Sequence, residues 1–222
     1  ICIKKYKMLT ITINKKDYQI PNQWEEMTLE YYIGIYAIIK KYQRTEEQEK
    51  NDEGKDLMKF HFQQETKMYR ELFVYMTGLD DSTMDRVSMD DVEAVLQCLD
   101  NIMAEYKPKG MTHFEFEHEM YYFPMDFLRT GTFGEYIESS QLEMNTEYLK
   151  NGRFDILPEQ MAILCKTVDE EVDLDNIDEK ATKFRGLTMD IVWEFAFFLN
   201  QRSLRSLSVM QTFLEKELEA SL

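Results

Sequence analysis

Glycine and proline are scarce, 8 and 4 among 222 residues. An all-β sandwich draws on both for its many turns, so the shortage argues for a mostly helical chain. Cysteine is scarcer still. Cys2, Cys98 and Cys165 are odd in number and far apart, and no CxxC pair occurs, so neither a zinc framework nor a disulfide scaffold is signalled. Cys98 and Cys165 fall in helical apolar patterns ("AVLQCLDNIM", "MAILCK") and read as buried reduced thiols, which suits a reducing cytoplasm. Basic residues are in deficit, 26 Lys and Arg against 42 Asp and Glu, for a net charge of −16 and a pI near 4.7. A nucleic-acid binder needs a basic face to neutralise phosphates, so no nucleic-acid partner is expected. An acidic surface also repels anionic lipid and leaves room for a basic partner. Long apolar runs are missing too: the stretches Tyr31–Ile39 and Ile191–Leu199 fall far short of a membrane span.

The usual carriers of chemistry are thin. The three histidines are His61, His113 and His118, with no HxH, HExxH or facial-triad spacing, and they read as exposed and idle. His113 and His118 are placed by strand alternation on opposite faces of a hairpin. The acidic stretch "DEEVDLDNIDE" (Asp169–Glu179) lacks the glycine that a calcium loop needs at its sixth position, and its twelfth position is Lys180. It reads as a solvated connector. "RTGTFGEY" is neither a GxxxxGK nor a GxGxxG loop, and no nucleophile elbow occurs. The expectation is no catalytic, cofactor or metal site, and no cofactor. Carboxylates are plentiful enough that an enzyme with an unrecognised carboxylate site stays as a third reading. The one compact basic patch, Arg202 and Arg205 in "NQRSLRSLS", reads as a solvated helix face.

What is present is a core. Apolar residues make up 44% of the chain, including 14 Phe, 13 Tyr and 15 Met. Methionine fills irregular gaps and suits adaptable binding surfaces. "LTITINKKDYQIP" alternates about Asn14–Asp17 as a β-hairpin over about residues 9–20, stopped by Pro21. Thr28 caps a helix with Leu29, Tyr32, Ile33, Tyr36 and Ala37 on its apolar face, fading near Gln43. "RTEEQEKNDEGKD" (Arg44–Asp56) has no apolar residue and reads as a solvated loop. A helix over Leu57–Thr77 carries Met68, Leu72, Phe73 and Met76 and stops at Gly78. After a short helical turn, Ser88 caps a helix with Val92, Val95, Leu96, Leu99, Ile102 and Met103 inside. "THFEFEHEMYYFP" is a second hairpin near 113–123, turning near His118 and stopped by Pro124. Thr132 and Glu135 form a capping box. Asn145 and Pro158 start short helices, and Ile177, Ala181 and Phe184 line another that ends at Gly186. Thr188 caps the last helices, which run to the end.

The predicted fold is α+β, mostly α-helical with two small antiparallel β-hairpins. Its organisation reads as a ragged leader over 1–8, an N-terminal hairpin with helices over 9–110, and a second hairpin with helices over 111–222, packed as one compact unit. Residues 1–7 are expected to be dispensable.

One pattern occurs twice: hairpin, proline, an aromatic three residues on, threonine cap, helix. Pro21 aligns with Pro124, Trp24 with Phe127, and Tyr32-Ile33 with Tyr136-Ile137. The proline stops the strand, the aromatic plugs the corner, and the capped helix folds back. Duplication and one local solution found twice both fit. The last helices are dense in large apolar side chains. "VWEFAFFLNQ" carries Trp193, Phe197 and Phe198, and "MQTFLEKELEASL" continues with Phe213, Leu214 and Leu218 on one side. Either this segment is central to the core, or one side of it meets a partner protein.

The order of these pieces, "YQIPNQWEEMTLEYYIGI", "ELFVYMTGLDDSTM", "SMDDVEAVL", "YYFPMDFLRTGTFGEYI", "LPEQMAILCK" and "LTMDIVWEFAFFLNQ", resembles the small tail-region proteins of tailed bacteriophages, described as tail assembly chaperones or virion-associated proteins. The resemblance spans about Leu9 to Asn200 and rests on aromatic, cap and proline positions. It implies a non-enzymatic protein acting on other phage tail or virion proteins in the host bacterial cytoplasm. A chaperone holding tail subunits such as the tape-measure protein is the first reading. A virion component, such as a head–tail adaptor or tail ring subunit, is the second.

Overall fold

The computed structural model describes residues 8–13, 15–43, 56–124, 139, 141–142, 153–168, 170 and 176–199, the side chains of 56–61 and 153 excepted. Within these residues the fold is mostly α-helical with two antiparallel two-stranded sheets.

The first sheet pairs β1 (Leu9–Ile13) with β2 (Lys16–Ile20), Ile13 facing Lys16 across the turn. Alternation sends Ile11, Ile13 and Ile20 into the core and leaves an outer polar ladder, in which the Thr12 hydroxyl donates to Asp17 (2.7 Å) and the Gln19 amide to Thr10 (2.9 Å). The second sheet pairs β3 (His113–Phe116) with β4 (Glu119–Tyr122). Its turn residues Glu117 (φ 49) and His118 (φ 69) both lie in the left-handed region. That turn class matches strand twist but suits Asn-Gly, because a Cβ there costs about 1–2 kcal/mol per residue. Replacing Glu117-His118 by Asn-Gly is therefore expected to raise stability by about 1–2 kcal/mol. The check is a denaturant midpoint that rises with an unchanged m-value.

Between the hairpins, a 3₁₀ turn (Trp24–Glu26) leads into α1 (Leu29–Tyr42). Thr28 Oγ1 accepts from the Tyr31 N–H at 3.3 Å, the expected cap. The buried residues of α1 are Leu29, Tyr32 and Ile35, while Ala37 is exposed, so the core-facing stripe is rotated from the expected one. Helix α2 (Asp56–Thr77) buries Leu72, Phe73 and Met76 and ends at Gly78, whose φ of 65 and N–H to Val74 C=O (2.8 Å) form a left-handed cap. A single turn, α3 (Asp81–Met84), precedes α4 (Met89–Met103). Ser88 caps α4 through the Asp91 N–H. Val95, Cys98, Leu99 and Ile102 are buried there, whereas Met103 at the helix end is 49% exposed.

After the second hairpin, a 3₁₀ turn (Arg153–Ile156) opens α5 (Leu157–Leu164), with Pro158 in its first turn. Helix α5 is buried nearly all round and packs against α6 (Ile177–Phe184). Helix α7, residues 189–199, follows Thr188. Buried residues from both sequence halves, among them Ile11, Leu29, Phe114 and Phe195, merge in one apolar cluster.

Within that cluster two helix starts are joined. Thr28 and Thr188 form an antiparallel bridge. The Leu29 N–H donates to Leu187 C=O and the Met189 N–H to Met27 C=O, both at 2.8 Å. Met27, Leu29, Leu187 and Met189 are all 0% exposed. The first-turn N–H groups of a helix have no intrahelical partner and must find one when buried. Here each helix start supplies the acceptor for the other.

The first corner follows the sequence reading: Pro21 is buried after β2, and Trp24 is half-buried where the hairpin meets α1. The second corner, with Phe127, Thr132, Glu135 and Tyr136-Ile137, lies outside the described residues, as do the leader, Asn145, Arg202 and Arg205.

Candidate functional site

Helix α7 carries most of the described side chains singled out from the sequence. Met189, Val192 and Phe195 are 0% exposed, which makes α7 a central core helix. Trp193 is half-buried. Its ring lies 5.6 Å from Trp24 and 5.7 Å from Phe154, both near-perpendicular, and 6.3 Å from Tyr32. Edge-to-face pairs of this kind add to area burial. Phe197 is half-buried and lies 6.3 Å from Tyr106. Phe198 is half-buried at the end of the described helix. Phe213, Leu214 and Leu218 lie outside the described residues.

The sequence reading missed Glu194, which is only 5% exposed. Its carboxylate accepts from the Tyr106 hydroxyl at 2.8 Å, from the Gly110 and Met111 N–H groups at 3.0 Å each, and from the Lys109 N–H. Gly110 has φ 71, so the loop turns through the left-handed region and aims three successive N–H groups at one point. Burial works against the charged carboxylate, but these four donors outweigh it and hold Glu194 below the usual carboxylate range. Burial and the adjacent carboxylate push the Tyr106 phenol up. Lys109 also reaches Glu25 at 2.6 Å, tying the same loop to the 3₁₀ turn beside Trp24. A lone carboxylate inside the apolar run "VWEFAFF" was the available signal.

The histidines and thiols are placed as expected where described. His113 is exposed, its ring tilted against that of Tyr122 with centroids 5.7 Å apart, and His118 is exposed in the turn, not on a strand face. Cys98 and Cys165 are buried, and burial pushes both thiols up. Among the described residues no group of three or more His, Cys, Asp or Glu could hold a metal ion, and no helix is long and apolar enough to cross a membrane.

A cleft of about 360 Å³ lies between β4, α5 and α6, lined by Glu119, Tyr121, Thr167, Glu170, Lys180 and Lys183 among others. Its charges are engaged within the chain. Lys180 donates to Cys165 C=O (2.7 Å) and to Glu170, and lies over the Tyr121 and Phe184 rings. Lys183 pairs with Glu179 at 2.9 Å, and Glu119 accepts the Tyr121 hydroxyl at 2.6 Å. Burial raises two carboxylates, Asp155 and Glu159, both near Arg185 at the start of α5, but neither lines the cleft. No known protein family, curated protein or solved structure matches the chain.

Proposed function

We propose that the chain works through protein–protein contacts in the assembly of a bacteriophage tail, holding a tail subunit before it is incorporated, in the host cytoplasm. The observation that carries the reading is the course of α7. The helix is anchored in the core by Val192 and Phe195, and it carries Phe197 and Phe198, only half-buried, toward a C-terminal sequence with Phe213, Leu214 and Leu218 at helical spacing. Such a segment offers apolar contact area beyond what one buried face uses. The net charge of −16 adds attraction for a basic protein and repulsion for nucleic acid. The pattern-level resemblance over Leu9 to Asn200 supplies the tail-assembly setting.

Truncation after Ser208 tests it. The described core lies upstream of that point, so the shortened chain is expected to melt as the full chain does and to lose capture of co-expressed tail proteins in a pull-down. Equal capture by both chains would reject the C-terminal segment as the contact surface. Mass spectrometry of purified particles separates the two roles: a chaperone is absent from them, and a head–tail adaptor or ring subunit is present.

A further inference from the structure

The helix start that leads into α1 is written a second time before α7, at a constant offset. Trp24, Met27, Thr28, Leu29 and Glu30 correspond to Phe184, Leu187, Thr188, Met189 and Asp190. The backbone agrees. The Glu26 N–H donates to Gln23 C=O at 3.1 Å and the Gly186 N–H to Lys183 C=O at 2.9 Å. The Tyr32 N–H donates to Thr28 C=O at 3.0 Å and the Val192 N–H to Thr188 C=O at 3.2 Å. Burial agrees too: Met27, Leu29, Tyr32 and Ile35 are buried, and so are Leu187, Met189, Val192 and Phe195. The two bonds across the joint, Leu29 to Leu187 and Met189 to Met27, change places when the copies are exchanged, so the copies meet about a local twofold axis. They diverge where their neighbours differ. At one shared position the first copy has Gly34, where a Cβ would collide with the Tyr75 ring, and the second has Glu194, which holds the N–H groups of Lys109, Gly110 and Met111.

The charges beside the joint follow the same symmetry with one substitution. On one side Arg185 C=O accepts from the Glu30 N–H at 2.9 Å, and the Arg185 guanidinium meets the Glu30 carboxylate at 2.8 Å. The corresponding positions on the other side hold Glu25 and Asp190, two acids that repel each other. Lys109 stands between them, its Nζ 2.6 Å from Glu25 and 3.9 Å from Asp190. We infer that residues 23–39 and 183–199 are two copies of one unit, that the joint between them is a latch whose two sides open together, and that the 106–111 loop is the strap that closes the side where the copies lack a cation of their own. Opening the joint frees the Leu29 and Met189 N–H groups at once without unwinding either helix, because both are first-turn donors. Helix α7 is then unable to leave alone: releasing its start releases that of α1 and detaches the strap. The inference stands apart from the partner-holding reading.

Native-state hydrogen exchange of the full chain, followed by NMR, tests the latch. The Leu29 and Met189 amides are expected to share one opening, with protection factors equal within ~3-fold, and to exchange ~10-fold or more faster than the Ile35 and Phe195 amides in the helix interiors. Unequal protection at 29 and 189, or one rate for all four amides, would overturn it. Lys109→Met should lower protection at 29 and 189 by the same factor, on the order of 5-fold. It should leave unchanged the Asp91 amide, a first-turn donor outside the joint. A loss confined to one of the two amides, or an equal loss at Asp91, would remove the strap. The double variant Lys109→Met, Glu25→Arg gives the second side the charge pattern of the first, and is expected to restore the protection that Lys109→Met removes. Failure of that rescue in a folded chain would overturn the two-copy reading. The wild-type comparison stands whether or not a variant folds.

Discussion

Replacing Glu194 by alanine is expected to cost about 3–5 kcal/mol of stability, since it leaves buried donors without their acceptor. The carboxylate gathers four donors: the Tyr106 hydroxyl and the N–H groups of Lys109, Gly110 and Met111. The loop they belong to joins α4 to the second hairpin, so its release loosens both. Glu194→Gln should cost less, about 1–3 kcal/mol, because one carbonyl oxygen remains to accept while the amide confronts an N–H. The pH dependence distinguishes a charge effect from lost packing. Glu194 is held below its ordinary pKa, so its contribution is present above the unfolded value of ~4.3 and is lost as pH falls through the folded one. Asp155 and Glu159 work in the opposite sense. Burial raises them, so the folded chain takes up their protons first, and the destabilisation they impose at neutral pH is relieved as pH falls. Wild-type stability should therefore hold or rise on mild acidification and then drop below about pH 4. In Glu194→Gln the relief should remain and the steep acid drop should shrink. Parallel acid limbs in the two proteins would show that the carboxylate charge is not what secures the loop.

The parts of this fold that were legible in the sequence are those decided over a few residues. Period-two alternation and the stopping prolines marked both hairpins, and Thr28, Ser88 and Gly78 marked helix ends, because a cap needs only its own turn. Decisions made between distant segments were not legible. Thr28 looked like a simple cap, and the doubled pattern matched it with Thr132. In the structure its bridge partner is Thr188, in "LTMD", a four-residue setting much like its own "MTLE". The α1 stripe turned to bury Ile35 because two sides of the helix are occupied, one by α2 and the other by Phe154. Glu194 was passed over for a different reason. A carboxylate in an apolar run has no sequence-visible partner, and its donors lie more than eighty residues earlier on a loop that only the folded chain brings near.

Trp24→Ala is expected to destabilise by about 3–5 kcal/mol, the range for removing a large aromatic from packed surroundings. The ring is the hub of a cluster that no single element contains. It lies 5.8 Å from Tyr32 on α1, 6.4 Å from Tyr106 on the loop Glu194 fixes, and 5.6 Å from Trp193 on α7. Phe154 joins from the turn before α5, 4.8 Å from Tyr32. Loss of the hub therefore unties the first corner from the last described helix, and a double-mutant cycle with Trp193→Ala should show a coupling of roughly 0.5–1.5 kcal/mol. Trp193→Phe should cost far less than Trp193→Ala. It keeps most of the ring contacts and deletes an indole N–H that is buried with no acceptor among the described residues. The same series divides α7 between two duties. If Trp193 serves the core, Trp193→Phe captures partner as the wild type does, while Phe198→Ala, at the end of the described helix, keeps its stability and loses capture. Lost capture in a Trp193→Phe chain of wild-type stability would instead put the indole itself at the partner surface.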